Sequence, residues 1–293
     1  MESTSNISTD PLCTIPRVGT SFPTRPLLRY HGGKWLLGKW IISFFPKHRK
    51  YVEPFGGGAS VLLQKERCFA EIYNDLDAEI VNLFEVVRDN GMELKKALEL
   101  TPFSRYEFEK SLLPIEDNFE KARRTVVRSY MSFSPTAVHQ NITPGFRCTK
   151  IHHSANPAND WRNYPDALDA TIERLRGVLI ENMDGIELMK NHDSNDTLFY
   201  VDPPYMLNTR FKKQKTKCYN FEMTDEEHIS LLLELKKLKG SVILSGYDNE
   251  IYNEILKDWK KVKKDTFSDK AKARTETLWV NKLKIESQKR LFV

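Results

Sequence analysis

Cysteine is scarce: Cys13, Cys68, Cys148 and Cys218 are the only four in 293 residues, and no two form a Cys-x-x-Cys pair. That excludes a disulfide framework and fits reduced thiols in the cytoplasm, or in a host's cytoplasm if the chain is viral. Cys148 stands near His152 and His153, but no second cluster completes a tetrahedral site, so no metal is expected. No apolar run approaches the roughly 20 residues of a membrane-spanning helix. The first residues lack a basic segment followed by a hydrophobic one, so no secretory signal is expected either. Also missing are a Ser or Cys nucleophile beside a plausible base and a Gly-Lys-Ser/Thr phosphate loop. Any chemistry must therefore rest on positioning, hydrogen-bond acceptors and a reactive cofactor. The charge excess is small, +5, which permits nucleic acid as a partner without requiring it.

What is present is an alternation of short apolar runs and amphipathic stretches, the pattern of an α/β protein. Residues 1–26 are rich in Ser, Thr and Pro and read as a flexible tail. Gly32 and Gly33 then precede Lys34 and a helix expected to run to about Phe45, a junction that leaves backbone amides open to a ligand. The next unit reads as a strand ending near Glu53, a turn of Gly56, Gly57 and Gly58, an apolar helix opened by Ser60, and a second strand ending at Asn74 and Asp75. This is the nucleotide-binding half of an α/β sheet, with a carboxylate placed to accept from ribose hydroxyls. The glycines are contiguous and miss the dinucleotide spacing, which favours a nucleoside cofactor over a pyrophosphate.

Helical patterns fill residues 77–131, and periodicity fails from 132 to 164, where Pro, Asn, His and aromatic residues alternate. Strands are expected at 178–181, ending before Asp184, and at 197–201, ending on Asp202, Pro203, Pro204 and Tyr205. A basic, aperiodic stretch containing Lys212 and Lys213 follows. Thr224 and Glu227 form a capping box for a helix to about Leu238, then come a strand at 241–245, a helix at 250–256 and strands near Val262 and 277–280. Ligands gather beyond the carboxyl ends of such strands, so Asp75, Asp184, Asp202 and the glycines should line one crevice.

Methyl transfer from a sulfonium to an exocyclic amine fits these limits. The amine lone pair is delocalised into its ring. Two acceptors aimed at its hydrogens, a carboxylate oxygen of Asp202 and the carbonyl of Pro203, would draw it toward tetrahedral geometry. Tyr205 would supply a stacking face for a base taken out of the duplex.

Three motifs in this order, Tyr30-His31-Gly32-Gly33-Lys34, Glu53-Pro54-Phe55-Gly56-Gly57-Gly58 and Asp202-Pro203-Pro204-Tyr205, resemble those of the Dam-type, D12-like DNA adenine methyltransferases of the α class. The resemblance spans about residue 27 to the end and is weakest from 100 to 163. It implies a Rossmann-like S-adenosylmethionine-dependent methyltransferase sheet with an inserted, mostly helical target-recognition domain. The catalytic domain would comprise 27–90 and 165–293, and the DNA-binding insertion 91–164. It further implies S-adenosyl-L-methionine as cofactor, double-stranded DNA as partner, no obligate protein partner, and adenine methylated at its 6-amino group as product.

Carried over by motif, Tyr30 and Lys34 would contact the cofactor, and Phe55, Gly56, Gly57 and Gly58 would pass beneath its methionine end. Asp75 would bind ribose, Asp184 would lie near the cofactor's adenine, and Asp202 would reach both cofactor and target amine. Arg123, Arg124, Arg128 and Arg147, with Lys212 and Lys213, become the DNA-contact candidates. Residues 132–150 lack the Arg-Tyr-Asn and Asn-Val-Pro-Phe-Gly stretches of enzymes that read GATC, so that target does not carry over. Gly56 replaces a bulkier family residue, which should only loosen the loop. Two alternatives stand beside adenine methylation: transfer to the cytosine amine, and a catalytically silent DNA-binding module on the same fold. A stand-alone modification enzyme that protects viral or host DNA, as in restriction-modification, is the role implied by family habit.

Overall fold

In the computed structural model the described residues are 22–134, 145–148, 156–206, 221–267 and 273–282. A 3-10 turn (Trp35–Leu37) and α1 (Gly38–Ile42) lead into β1 (Lys50–Glu53) and β2 (Ala70–Asn74). Then follow α2 (Ala78–Asp89), α3 (Gly91–Glu99), α4 (Arg105–Ser111), α5 (Asn118–Met131), α6 (Pro157–Arg162) and α7 (Leu168–Leu175). The second half runs β3 (Val178–Glu181), α8 (Gly185–His192), β4 (Thr197–Val201), α9 (Asp225–Leu235), β5 (Ser241–Gly246), α10 (Glu250–Ile255), β6 (Lys260–Phe267) and β7 (Ala273–Val280).

The strands form one sheet in the order β3-β2-β1-β4-β5-β7-β6, parallel except for β7, which is antiparallel to both its neighbours. Strand order reverses between β1 and β4, where Val52 pairs with Ile72 of β2 on one side and Phe199 of β4 on the other. In-register parallel strands bring their carboxyl ends to one edge, and the reversal opens a crevice there.

Side chains alternate between two buried clusters with the period of two that a strand imposes. Tyr51, Leu198, Tyr200 and Ile243 face the cluster under α2, α3, α5 and α7; Val52, Phe199, Val201 and Leu244 face the one under α8, α9 and α10. Both faces of the central strands are therefore apolar, as a parallel sheet between two helical layers requires. Leu94, Leu98, Phe108, Val126, Tyr130 and Trp161 share the first cluster with the strands. Within the expected insertion, residues of α3, α4, α5 and α6 thus pack into the same cluster as the sheet.

Two helices expected from the sequence come out shorter. Residues 60–64 make turns, not a regular helix, because Gly57 (φ 46°) and Ala59 (φ 50°) are both left-handed just before them. The amide of Leu62 is taken by the buried carboxyl of Glu53 at 3.0 Å, and the turns that remain are closed by Leu63 N–H to the Ala59 carbonyl and Lys65 N–H to the Val61 carbonyl. The stretch after Lys34 divides into the 3-10 turn and the five-residue α1. The capping box at Thr224 forms as expected, with Glu227 accepting from the Thr224 amide at 2.7 Å and Thr224 Oγ1 accepting from Glu227 N at 3.2 Å.

A buried ion triad ties β2 to α7. Glu71 accepts from Arg174 through both oxygens, at 2.6 and 2.9 Å, and from Lys65 Nζ at 2.5 Å. Among the described residues no helix is long and apolar enough to cross a membrane.

Candidate active site

A cavity of about 490 Å³ opens at the carboxyl edge where β1 and β4 adjoin. That is within the roughly 300–1,000 Å³ typical of small-molecule sites. Tyr30, Lys34, Phe55, the three glycines, Asp75, Asp184, Asp202, Pro203 and Tyr205 all line it. The fold thus gathers the expected cofactor-binding and catalytic candidates in one place.

Its floor is the glycine turn. Asp75 Oδ2 accepts from the Gly57 amide at 2.7 Å and Oδ1 from the Asp77 amide at 2.8 Å, so Asp75 holds the loop it was expected to serve beside. Asn74, fully buried and not singled out by the sequence, clamps the ends of three strands. Its amide donates to the carbonyls of Pro54 and Met183, and its Oδ1 accepts from Met183 N. The Tyr73 hydroxyl donates to the Gly57 carbonyl at 2.8 Å.

Gly56 is not a loosening substitution. A Cβ at Gly56 would stand 2.2 Å from the Tyr73 ring, so that ring fills the space a larger residue would need. Gly56→Val should therefore overpack the loop and lower stability by roughly 1–3 kcal/mol. Thermal denaturation would read this, and a wild-type melting temperature would refute the packing argument. At Gly57 the left-handed backbone and the Tyr30 ring, 2.7 Å from a Cβ there, both demand glycine.

The opposite wall carries the acceptor. Asp202 Oδ2 lies 2.9 Å from Lys34 Nζ, and that ammonium also donates to the Gly32 carbonyl at 2.9 Å and sits 4.7 Å from the centre of the Tyr205 ring. Burial pushes the Asp202 carboxyl up to about 6; Lys34 pulls it down and Glu276 pushes it up again. Asp202 Oδ1 is buried with no hydrogen-bond partner. The Tyr205 ring lies 4.5 Å from that of Tyr247, tilted by 57°. Glu53, also on the cavity wall, is raised to about 8 by burial, so its carboxyl is protonated at neutral pH.

At the far end Asp184 caps α8, its Oδ1 accepting from the amides of Ile186 and Glu187 at 2.9 and 3.0 Å. Phe55, Met183 and Ile186 make that end apolar. Phe221, Glu222 and Met223, ahead of α9, close the cavity from the other side. Nothing in their spacing marked them, because they follow an aperiodic stretch.

The arginines of α5 do not form a DNA surface here. Arg123 is held by Glu120 and Glu107, Arg124 by Glu120 and the Leu113 carbonyl, and Arg128 by Glu79 and the Ser111 carbonyl. All three are buried, and burial lowers Arg128 to about 10. Their guanidinium groups brace α5 against its neighbouring helices. Glu120, three and four residues before Arg123 and Arg124, was the visible signal of this pairing. Arg147 keeps a solvent-accessible side chain with a 3.5 Å contact to Asp160. Lys212 and Lys213 lie outside the described residues. Among the described residues no group of His, Cys, Asp and Glu is arranged to hold a metal ion.

Residues 30–269 match the family model of D12 class N6 adenine-specific DNA methyltransferases. The chain belongs to that family. One relative, the Type II methyltransferase M.MjaIII of Methanocaldococcus jannaschii, is 22% identical over 262 residues, covering 79% of this chain and 87% of the relative. This methyltransferase thus moves a methyl group from a donor to the 6-amino group of adenine in DNA. Transfer to cytosine and a silent binding module are not favoured. The family match spans the sheet from the approach to β1 through β6 and ends before β7.

Proposed function

We propose that the methyltransferase takes its methyl group from S-adenosyl-L-methionine and delivers it to an adenine rotated out of double-stranded DNA, with Asp202 and the Pro203 carbonyl as the acceptors for the target amine. The carrying observation is Asp202 Oδ1, a buried carboxyl oxygen without a partner on the wall of the cavity. Such an atom is costly to leave unmatched unless a ligand supplies the donor.

The residues suit that cofactor. Gly56, Gly57 and Gly58 allow close approach, and Asp75 on the cavity wall is a carboxylate of the kind that accepts from ribose hydroxyls. Phe55, Met183 and Ile186 offer an apolar slot for an adenine ring, and Asp184 Oδ2 is not engaged by the helix cap. Bound there, the cofactor supplies an electrophilic methyl carbon on a sulfonium, whose carbon–sulfur bond breaks with its electron pair returning to sulfur.

The chain does the rest. The Lys34 ion pair favours ionised Asp202 and occupies Oδ2, so Oδ1 is the oxygen presented to the amine. Hydrogen bonds to Oδ1 and to the Pro203 carbonyl localise the amine lone pair. A carboxyl near 6 is also a suitable acceptor for the proton that the methylated amine loses. Tyr205 and Tyr247 form an aromatic corner for the unstacked base. Such stacking is worth about 1–3 kcal/mol per base, comparable with the few kcal/mol of flipping.

DNA recognition is assigned to the segment between α5 and α6, with Arg147 as a contact. Arg147→Ala should weaken DNA binding and reduce the slope of log affinity against log salt by about 1. An unchanged salt dependence would place Arg147 outside the interface. Protective modification beside a restriction nuclease is the role that the Type II relative suggests.

The deciding experiment incubates the protein with unmethylated DNA and methyl-labelled S-adenosylmethionine, then digests the product to nucleosides. Label in N6-methyl-2′-deoxyadenosine supports the proposal. Label on cytosine alone, or none at all, overturns it.

A further inference from the structure

We infer that Glu276 is a positioning residue for methyl transfer, acting through Tyr205 and Ser245 to keep an oxygen of Asp202 open for the target amine. The inference rests on the methyl-transfer reading of the site. Glu276 lies on β7, the antiparallel strand beyond the family match, in register with Lys264 of β6. Although 5% exposed, its Oε1 accepts from the Tyr205 hydroxyl at 2.7 Å and from the Ser245 hydroxyl at 2.8 Å.

Each hydroxyl has one hydrogen to donate. Ser245, on β5 beside β4, is close enough to Asp202 to favour its ionised form, yet its hydrogen has a directed acceptor in Glu276. Asp202 Oδ1 stays buried and unpartnered as a result. Without Glu276 the serine hydrogen could turn to Oδ1 and fill the position the amine needs. The same carboxyl anchors Tyr205 by its hydroxyl, fixing the ring that borders the base. An acceptor left vacant in advance needs no reorganisation when the amine arrives, which is how preorganised polar groups accelerate a reaction. The antiparallel β7 therefore contributes to catalysis as well as to sheet closure.

The charged and titratable groups around Asp202 are Lys34 before α1, Glu53 on β1, Tyr200 on β4, Tyr205 after it, Tyr252 on α10, and Glu276. Glu276 opposes ionisation of Asp202 and Lys34 favours it, while ionised Asp202 in turn helps to raise Glu53.

The test is steady-state and single-turnover methylation of unmethylated genomic DNA with labelled S-adenosylmethionine, across about pH 5 to 9. In Glu276→Gln the side-chain amide can donate to Ser245 Oγ, which frees the serine hydrogen for Asp202 Oδ1. The variant should lose at least about tenfold in kcat with KM for DNA and donor unchanged. The acid limb of its rate profile should move to lower pH, since a negative neighbour of Asp202 is gone. Adding Ser245→Ala to Glu276→Gln should recover several-fold in kcat, a rescue that a merely structural role would not give.

An unchanged kcat and acid limb in Glu276→Gln, or no recovery in the double variant, overturns the inference. If Glu276→Gln does not fold, Tyr205→Phe breaks one of the two links and should lower kcat with KM unchanged; wild-type kcat there overturns it equally. Wild-type protein that transfers no methyl group sinks the methyl-transfer reading itself, whereas an active wild type with an indifferent Glu276→Gln sinks this inference alone.

Discussion

Asp202→Ala should abolish methyl transfer while leaving the protein folded. The loss should reach at least about 10²–10³-fold in kcat, the effect of removing one preorganised hydrogen-bonding group from a transition state. The fold should tolerate it because Lys34, left without its carboxylate, still donates to the Gly32 carbonyl and faces the Tyr205 ring. Asp202→Asn retains the shape but has one acceptor oxygen and no charge, and should be nearly as inactive. The wild-type rate carries a matching pH signature. Only ionised Asp202 accepts from both the amine and Lys34, and burial places its carboxyl at about 6. The rate should therefore fall as pH drops through about 6 and level off above it. Single-turnover rates with labelled donor, alongside circular dichroism of the variants, would check both statements. Retained transfer in Asp202→Ala, or a rate flat through pH 6, would remove Asp202 from the role given to it.

The second large effect concerns stability. Glu71→Ala should cost about 3–5 kcal/mol, the usual result of removing one partner from a buried ion network. The reason is what remains: Lys65 and Arg174, 2% and 5% exposed, would be left with no opposing charge between them. That is a large fraction of the 5–15 kcal/mol typical of a folded domain. Breaking the exposed pair of Lys95 with Asp169 at 2.8 Å should by contrast cost under about 1 kcal/mol. The pH dependence follows from the carboxyl. Burial raises its pKa, but Lys65 and Arg174 together outweigh burial and hold it below the ordinary value. A carboxylate lowered on folding stabilises fully above its unfolded pKa, about 4.3, and loses that contribution as pH falls through its folded value. Chemical denaturation at neutral pH should therefore show the full gap between wild type and Glu71→Ala, and the gap should narrow in acid. Equal stability of the two proteins at neutral pH would mean that the triad is not what ties β2 to α7.

Much of the architecture is legible in the chain itself, for physical reasons that act locally. The central strand runs ending at Glu53 and Val201 are short and apolar on both faces, which a sheet buried between two helical layers requires. Thr224 with Glu227 announces a helix start because the capping box is made within four residues. Asp202 to Tyr205 reads as a site because two prolines cannot join a sheet ladder. The gathering of Asp75, Asp184, Asp202 and the glycines about one cavity follows once parallel strands share an edge. Length and spacing carry less where partners are distant. The helix expected after Ser60 is cut short by Glu53, nine residues away along the chain and adjacent only in the fold.

Charge is where the tertiary structure decided most. Arg123, Arg124 and Arg128 look like a basic helix face, because a sequence shows which charges exist but not which are already paired; Glu79 and Glu107 neutralise two of them from other helices. Glu276 has the opposite history. It sits in an unremarkable polar strand, yet the antiparallel return of β7 beside β5 carries its carboxyl to Tyr205 and Ser245. The residues of the motifs were determined by the sequence alone. Which oxygen of Asp202 stays open depends on Lys34, which takes the other one from far away along the sequence, and that contact exists only in the folded chain.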